Sequence, residues 1–394
     1  MVSRLFRLAT LMISALVVVA CGHATTSTIP QPLSGADRAA FRSDTNTPYL
    51  SSGLTNARTN CGTAIGIYAR CLSLVRTDAV ARTFPLTAGF GPNDLQSAYK
   101  LPSSTAGTGQ TVGVVDAFDD PTAETDLAMY RSHFGLSACS TAGGCFTKVN
   151  QQGNPHPLPP ANSGWSAEIS LGLDMVSAIC PNCKIVLVEA DDSSAINLGK
   201  SVGTAARLGA DAISTGFAMD ETGSLPYEKY YNHPGHMIVA AAGDVGGDIA
   251  FPASSPDVTA VGGTTLTRAN NKRGWIESVF GSAAAGCSKV YAKPPWQKNT
   301  GCAMRAIGDV AAVADPSTGV TAVFAGQFVV FGGTSVASPI IAGAYALAGN
   351  SNILRYGSYS YSHLGHLFNV QGARDSQGFD GSTGNGTPNG IGAF

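Results

Sequence analysis

Charge is scarce in this sequence: only 13% of its 394 residues are Asp, Glu, Lys or Arg, and the formal net charge is -2. Such a chain has no basic field with which to hold a phosphate backbone, so nucleic acid is not an expected partner. It also lacks a long apolar run after the first twenty residues, so no later segment is expected to span a bilayer, which takes ~20 residues of helix. There is no internal repeat. The 47 glycines are scattered without a period, as many tight turns require, and this excludes a fibrous chain. What the sequence does have is 44% apolar residues, enough to bury a large core.

At the N-terminus, Arg4 and Arg7 precede an apolar stretch from Leu8 to Ala20 that is too short to span a membrane. This is the anatomy of an export signal, assigned to residues 1–24, and it implies a protein of the periplasm, cell envelope or medium. Val18, Val19 and Ala20 in front of Cys21 have the form of a bacterial lipobox, which implies lipid attachment at Cys21. Cleavage near Ala24 is the competing reading. The eight remaining cysteines suit an oxidising compartment and fall into close pairs: Cys61 with Cys71, Cys139 with Cys145, Cys180 with Cys183, and Cys287 with Cys302. Local disulfides are expected. Cys180-Pro-Asn-Cys183 also has the spacing of a redox motif or half a zinc site, but no second CxxC or nearby histidine pair completes it.

Residues 25–95 are rich in Ser, Thr, Ala and Gly and show little periodicity, so they read as a tether or short pro-segment without a large core of its own. From residue 96 the pattern changes. TVGVVDAF from Thr111 reads as a buried strand, and Asp120-Pro121 as the start of a helix ending at Gly135. CKIVLVEA (183–190), a helix through Leu198 and Val202 to Leu208, then DAIST and HMIVAAAGD continue the alternation. The fold class is α/β: a mostly parallel central sheet covered by helices on both faces, with active residues gathered at the strands' carboxyl ends.

The most specific segment is FGGTSVASPIIAGAYALAGN (331–350), which sets Ser335 at the N-terminus of a small-residue helix. Backbone amides of Gly333 and Thr334 and the helix dipole there favour a developing oxyanion. GTSVASP resembles the nucleophile segment shared by subtilisins and sedolisins. His133, His156, His233, His236, His363 and His366 all lack the Gly-Thr that follows the subtilisin histidine, and HxxH at His363 and His366 is a weak metal motif. The helix beginning WSAEISLGLDMVSAI instead resembles the one that carries the sedolisin glutamate, and Glu168 matches that residue. Asp244 in AAAGDVGG resembles the family aspartate that donates to the oxyanion in its protonated form. FPASSPDVTAVGGTTL, RGWIES and GCSKVYAKPPWQ extend the resemblance over residues 95–394.

Two departures stand out. Sedolisins carry an aspartate four residues after the glutamate, on the same helix face, and here that position is Gly172. Asp174 is six residues from Glu168, about 240° around the helix, and so cannot take over. Asp116, at the end of the first sheet strand, is a candidate orienting residue, or equally a residue that starts the next helix. The family's calcium loop is resembled by LFNVQGARDSQGFDG: Val370, Gly378 and Asp380 match, but Asn369 stands for the first aspartate and the loop is shortened. Either change weakens a site for a hard cation.

The resemblance implies a monomeric, exported endopeptidase that cuts proteins or peptides at acid pH. Ser335 is the expected nucleophile, Glu168 the base and Asp244 the oxyanion donor. Gly172 supports the alternative of a weakened or inactive peptide-binding envelope protein. On helix propensity, Gly172→Asp is expected to raise activity without loss of stability unless the missing side chain makes room for packing.

Overall fold

The run TVGVVDA is apolar on both faces, and a strand of that kind has to be covered from two sides. A computed structural model, which describes residues 56–63, 65–81, 89–298, 300–372 and 380–394, supplies both covers. Its strands are β1 (Ala57–Thr59), β2 (Arg70–Cys71), β3 (Leu74–Ala81), β4 (Thr111–Ala117), β5 (Phe146–Asn150), β6 (Lys184–Ala190), β7 (Ala212–Thr215), β8 (Phe217–Asp220) and β9 (Met237–Ala241). They continue as β10 (Ala250–Phe251), β11 (Thr259–Arg268), β12 (Trp275–Val279), β13 (Gly286–Ala292), β14 (Met304–Ile307), β15 (Val310–Val313), β16 (Val320–Phe324) and β17 (Gln327–Gly332). The helices that matter here are α1 (Pro92–Tyr99), α2 (Ala123–His133), α3 (Ser163–Ile179), α4 (Ala195–Arg207), α5 (Leu225–Glu228) and α6 (Thr334–Ala348).

The central sheet runs in the order β12-β11-β9-β7-β4-β6-β5, with β15 also paired to β11. Only the β11–β12 pair is antiparallel. Side chains alternate between two cores, as the pleat demands. Val112, Val114, Ile185 and Leu187 face α1, α2, α3 and α6. Val115, Ala117, Val186 and Val188 face α4. This is the expected three-layer α/β arrangement, and it brings Asp116 opposite Glu189 at the carboxyl ends of β4 and β6.

Two helices aim at that edge. Asn162 caps α3, its side chain accepting from Gly164 N and Trp165 N, and every residue from Trp165 to Ile179 is buried. Small side chains let α6 sit equally deep, buried from Thr334 to Leu347 with Pro339 inside. The α2 helix begins later than its Asp-Pro signal suggests. Asp120 turns back to accept Thr122 N–H on Oδ1 and the Ser170 hydroxyl on Oδ2, so the helix opens at Ala123 and ends at His133.

The export signal and Cys21 lie outside the described residues, as does most of the leader. The leader's described part is not a separate unit: β1 and β3 extend a four-stranded sheet in the order β1-β3-β17-β16, and β2 pairs with β8. Two apolar side chains account for this. Leu74 packs with Phe280, Ala283 and Ala314, and Val75 joins the main core. Among the described residues no helix is long and apolar enough to cross a membrane.

All four disulfides form in the local pairing: Cys61–Cys71, Cys139–Cys145, Cys180–Cys183 and Cys287–Cys302. Cys180 and Cys183 are thus bonded to each other and fully buried. Thiol titration of the denatured, unreduced protein will therefore find none of these eight cysteines free, whereas two or more free thiols among them would contradict the pairing.

Candidate active site

Glu168 projects from the second turn of α3 and is 2% exposed. Room for its carboxylate comes from Gly216, between β7 and β8, where any β-carbon would collide with Oε1. Its Oε2 accepts the Ser73 backbone N–H at 2.9 Å. Burial raises its pKa to about 7, and hydrogen bonding from the Ser335 and Ser73 side chains and the Ser73 amide only partly offsets that.

Ser335 is 1% exposed in the first turn of α6, and its hydroxyl donates to Gly216 O at 2.9 Å. Gly333 precedes the helix with φ 94°, a conformation that costs glycine little and other residues much. A β-carbon there would collide with the Leu72 carbonyl oxygen and lie 3.0 Å from Asp244 Oδ2. Asp244 Oδ1 accepts Thr334 N–H at 2.7 Å, while Oδ2 is buried without a partner. Burial raises this pKa to about 6 against the opposing hydrogen bond from Thr334. The Gly333 and Thr334 amides, expected as oxyanion donors, are committed elsewhere: Gly333 N–H donates to Ala314 O at 2.6 Å and Thr334 N–H to Asp244. The Asp244 carboxyl intercepts the helix amide, which fixes its free oxygen in the cleft. Beside it opens a cavity of about 380 Å³ lined by Arg70, Met219, Asp220, Ile249 and Lys289.

Asp116 is buried, and its pKa is pushed well up, first by burial and then by the nearby charges of Glu168 and Glu189. Its Oδ1 has no hydrogen-bond partner. The structure therefore brings Asp116 electrostatically close to Glu168, but the bond that orients Glu168 comes from Ser73. Asp174 faces away, accepting Val323 N–H at 2.7 Å, as the helical angle requires. Gly172 has its own packing reason, since a β-carbon there would lie 3.0 Å from Val114 Cγ1 on β4. A side chain at this position therefore requires the Val114 methyl to give way by a few tenths of an ångström.

The calcium loop is described only in part, and Gly378 lies outside it. Val370 is buried, Asn369 is exposed, and Asp380 Oδ1 already accepts Ser382 N–H, Thr383 N–H and the Thr383 hydroxyl. Among the described residues of this loop Asp380 is the one carboxylate. Among the described residues no group of three or more His, Cys, Asp or Glu stands ready for a metal.

Three residues at the site escape a reading of motifs. Ser73 acts through its backbone amide, which leaves no trace in a sequence. Gly216 follows the DAIST strand without a motif. Glu189 was visible as the polar end of an otherwise apolar strand; its Oε1 accepts Asp120 N–H at 2.9 Å and pairs with Lys148 at 3.1 Å. Burial nevertheless raises its pKa to about 8.

A three-layer α/β domain with a serine at a helix N-terminus and a buried carboxylate beside it defines a class of subtilisin-like proteins. The model of the subtilase family matches residues 111–363, and the chain belongs to that family, as a member of the sedolisin type. Kumamolisin from Bacillus sp. (strain MN-32) is 28% identical over an alignment 294 residues long that covers 65% of this chain and 51% of kumamolisin. Sedolisin from Pseudomonas sp. (strain 101) is 36% identical over an alignment 127 residues long that covers 29% of this chain and 22% of that protein. The chain thus spans about half or less of the length of these curated relatives. The solved structure of Pseudomonas sedolisin, a serine-carboxyl proteinase complexed with two molecules of pseudo-iodotyrostatin, shares the fold with a TM-score of 0.65 and 22% identity. The match covers 77% of this chain and 96% of that one.

The buried acids make stability depend on pH. Glu168, Glu189, Asp244 and Asp120 have folded pKa values of about 7, 8, 6 and 6, above the ~4 of an unfolded carboxyl. The folded state therefore binds more protons, and this contribution is full below ~pH 4 and is lost as pH rises through 6 to 8. Calorimetry will show a higher Tm at pH 5 than at pH 8; the reverse order would contradict the burial of these carboxyls as acids. Gly172→Asp will lower stability by about 1–3 kcal/mol, the usual cost of overpacking, in place of the neutral outcome expected from helix propensity. Denaturant unfolding checks the sign.

Proposed function

We propose that this chain is an exported serine-carboxyl endopeptidase acting on proteins or peptides at acid pH. The observation that carries the reading is the convergence of Ser335, Glu168 and the unpartnered Asp244 Oδ2 around one peptide-sized position. In this reading Ser335 attacks the scissile carbonyl as Glu168 takes its proton, and protonated Asp244 donates a hydrogen bond to the oxyanion. Glu168 then returns the proton to the leaving amine. Asp116, kept protonated by burial beside Glu168 and Glu189, serves as the positioning residue in place of the missing aspartate. Export is supported by the signal-like residues 1–24 and the four disulfides, with lipid attachment at Cys21 or free release as the two routes.

The chemistry needs one carboxyl ionised and the other protonated. Burial raises Glu168 to about 7 and Asp244 to about 6, so above about 7 both ionise and negative charge faces the oxyanion, while below it the required form, Glu168 ionised and Asp244 protonated, is the less populated of the two singly ionised states. A second reading, a peptide-binding protein that does not cut, is favoured by Gly172 alone, which deprives Glu168 of the family's neighbouring aspartate.

Digestion of a denatured protein between pH 3 and 8 decides between them. Ser335→Ala will lower kcat by on the order of 10⁴ or more. Asp244→Asn keeps an acceptor for Thr334 N–H and offers a permanent donor, so it will retain activity and shift the alkaline limb upward. An unchanged limb would remove Asp244 from the oxyanion role, and a wild type that cuts nothing at any pH would leave the binding reading in place.

A further inference from the structure

The sheet behind Glu168 carries a second buried acid for which the reaction above has no use. Asp116 and Glu189 stand in register on the parallel strands β4 and β6. Asp116 lies two residues beyond Val114 and Glu189 two beyond Leu187, so both side chains leave the face of the sheet that α3 covers. They are 2% and 0% exposed. Each has one oxygen without a hydrogen-bond partner, Asp116 Oδ1 and Glu189 Oε2. The other oxygen of Glu189 is taken: Oε1 accepts Asp120 N–H at 2.9 Å and lies 3.1 Å from Lys148 Nζ. Lys148 is braced in turn by the Asp119 carboxylate and by Asp120 O, to which it donates at 2.6 Å.

A buried carboxyl oxygen without a partner is costly, and two of them on neighbouring strands remove each other's deficit if one carries a proton. Because two donors already meet Glu189 Oε1, a proton on this residue belongs on Oε2. Asp116 Oδ1 is then the acceptor that such a proton lacks. We propose that Glu189 is a positioning residue of the site: its Oε2 hydroxyl donates to Asp116 Oδ1, which leaves the proton of Asp116 on Oδ2 and directs it to the Glu168 carboxylate. The orienting group missing at Gly172 is thus supplied from the sheet by two acids in series, with Lys148 fixing the far end. This rests on the peptidase reading above.

The charged and titratable groups around the pair are Glu168 from α3, Lys148 from β5, and Asp119 and Asp120 from the segment after β4. Asp120 turns its own carboxyl away, to Thr122 and Ser170. Burial raises Glu189 to about 8 and Asp116 well up, so both hold their protons at the acid pH of the reaction. A hydrogen bond donated to an ionised carboxylate favours that form. The two acids in series therefore hold Glu168 below the pKa that burial alone would give it, and breaking the series raises that pKa.

The test uses the full chain with a denatured protein as substrate between pH 3 and 8. Glu189→Met keeps the length of the side chain and removes its donor, so kcat is expected to fall on the order of tenfold with KM unchanged, and the acid limb of the pH profile to move upward. Glu189→Gln, whose amide can accept where Oε1 does and donate to Asp116, will keep kcat near that of the wild type. In an Asp116→Asn background Glu189→Met will cost little more, because the two residues act as a unit. A lower Tm without these kinetic changes, equal losses from Met and Gln, or additive losses with Asp116→Asn would overturn the proposal and leave the peptidase reading standing. Infrared spectra read the pair without turnover. The carbonyl band of protonated Asp116, identified by its loss in Asp116→Asn, will shift in Glu189→Met, and also in Glu189→Gln, where an amide replaces the stronger donor, should the Met variant fail to fold. An unshifted band would overturn the proposal whatever the activity, and a wild type that cuts nothing at any pH would overturn both readings.

Discussion

The site depends on the room that two glycines leave. Gly216 gives up its side chain so that the Glu168 carboxylate can lie against the end of β7, and Gly333 does the same where Leu72 O and Asp244 Oδ2 approach α6. Both are steric constraints first and chemical ones second. A β-carbon at either place would push a carboxylate or a peptide carbonyl out of the cleft, and no later adjustment of pKa or hydrogen bonding would restore the meeting. The parallel sheet makes this economy workable, because the ends of β4, β6, β7 and β9 converge on one edge and α3 and α6 reach it from the same side.

Burial then sets the electrostatics. Glu168, Asp116, Glu189 and Asp244 are all enclosed, and for each the loss of water is the largest cause of a raised pKa. Lys148, bound to Asp119 and Glu189 and partly buried itself, and Arg70, whose charge acts on Asp244, are cations beside this group. An assembly of acids with so little positive charge keeps its protons into the neutral range. In the proposed mechanism, acid catalysis and acid stability then share one origin, the desolvation of carboxyl groups at a sheet edge.

Much of this was legible in the sequence. The apolar strands alternating with helices gave the three layers, because a strand buried on both faces has few other solutions. Ser335, Glu168 and Asp244 were visible because each sits in a segment of distinctive neighbours, and the disulfides because close cysteines behind a signal-like N-terminus have few alternatives. Less visible was anything that works through the backbone. Ser73 holds Glu168 with an amide, across 95 residues of sequence. The role of the leader was hidden for the same reason, since main-chain pairing with β8 asks for no particular side chain. Gly172 was read as the loss of a catalytic neighbour, and its packing against Val114 could be seen only once α3 lay on β4.

The pairing of β3 with β17 has a consequence for the molecule's behaviour in solution. Strands β16 and β17 form a two-stranded ribbon whose outer rim is covered by β3, with Phe331 opposite Val75 and Gly332 opposite Leu74. An uncovered rim of that kind, flanked by Phe328, Val329 and Val330, would invite another chain to add itself and start edge-to-edge aggregation. A chain that began beyond Ala81 would lose β3, so this part of the leader keeps neighbouring molecules apart.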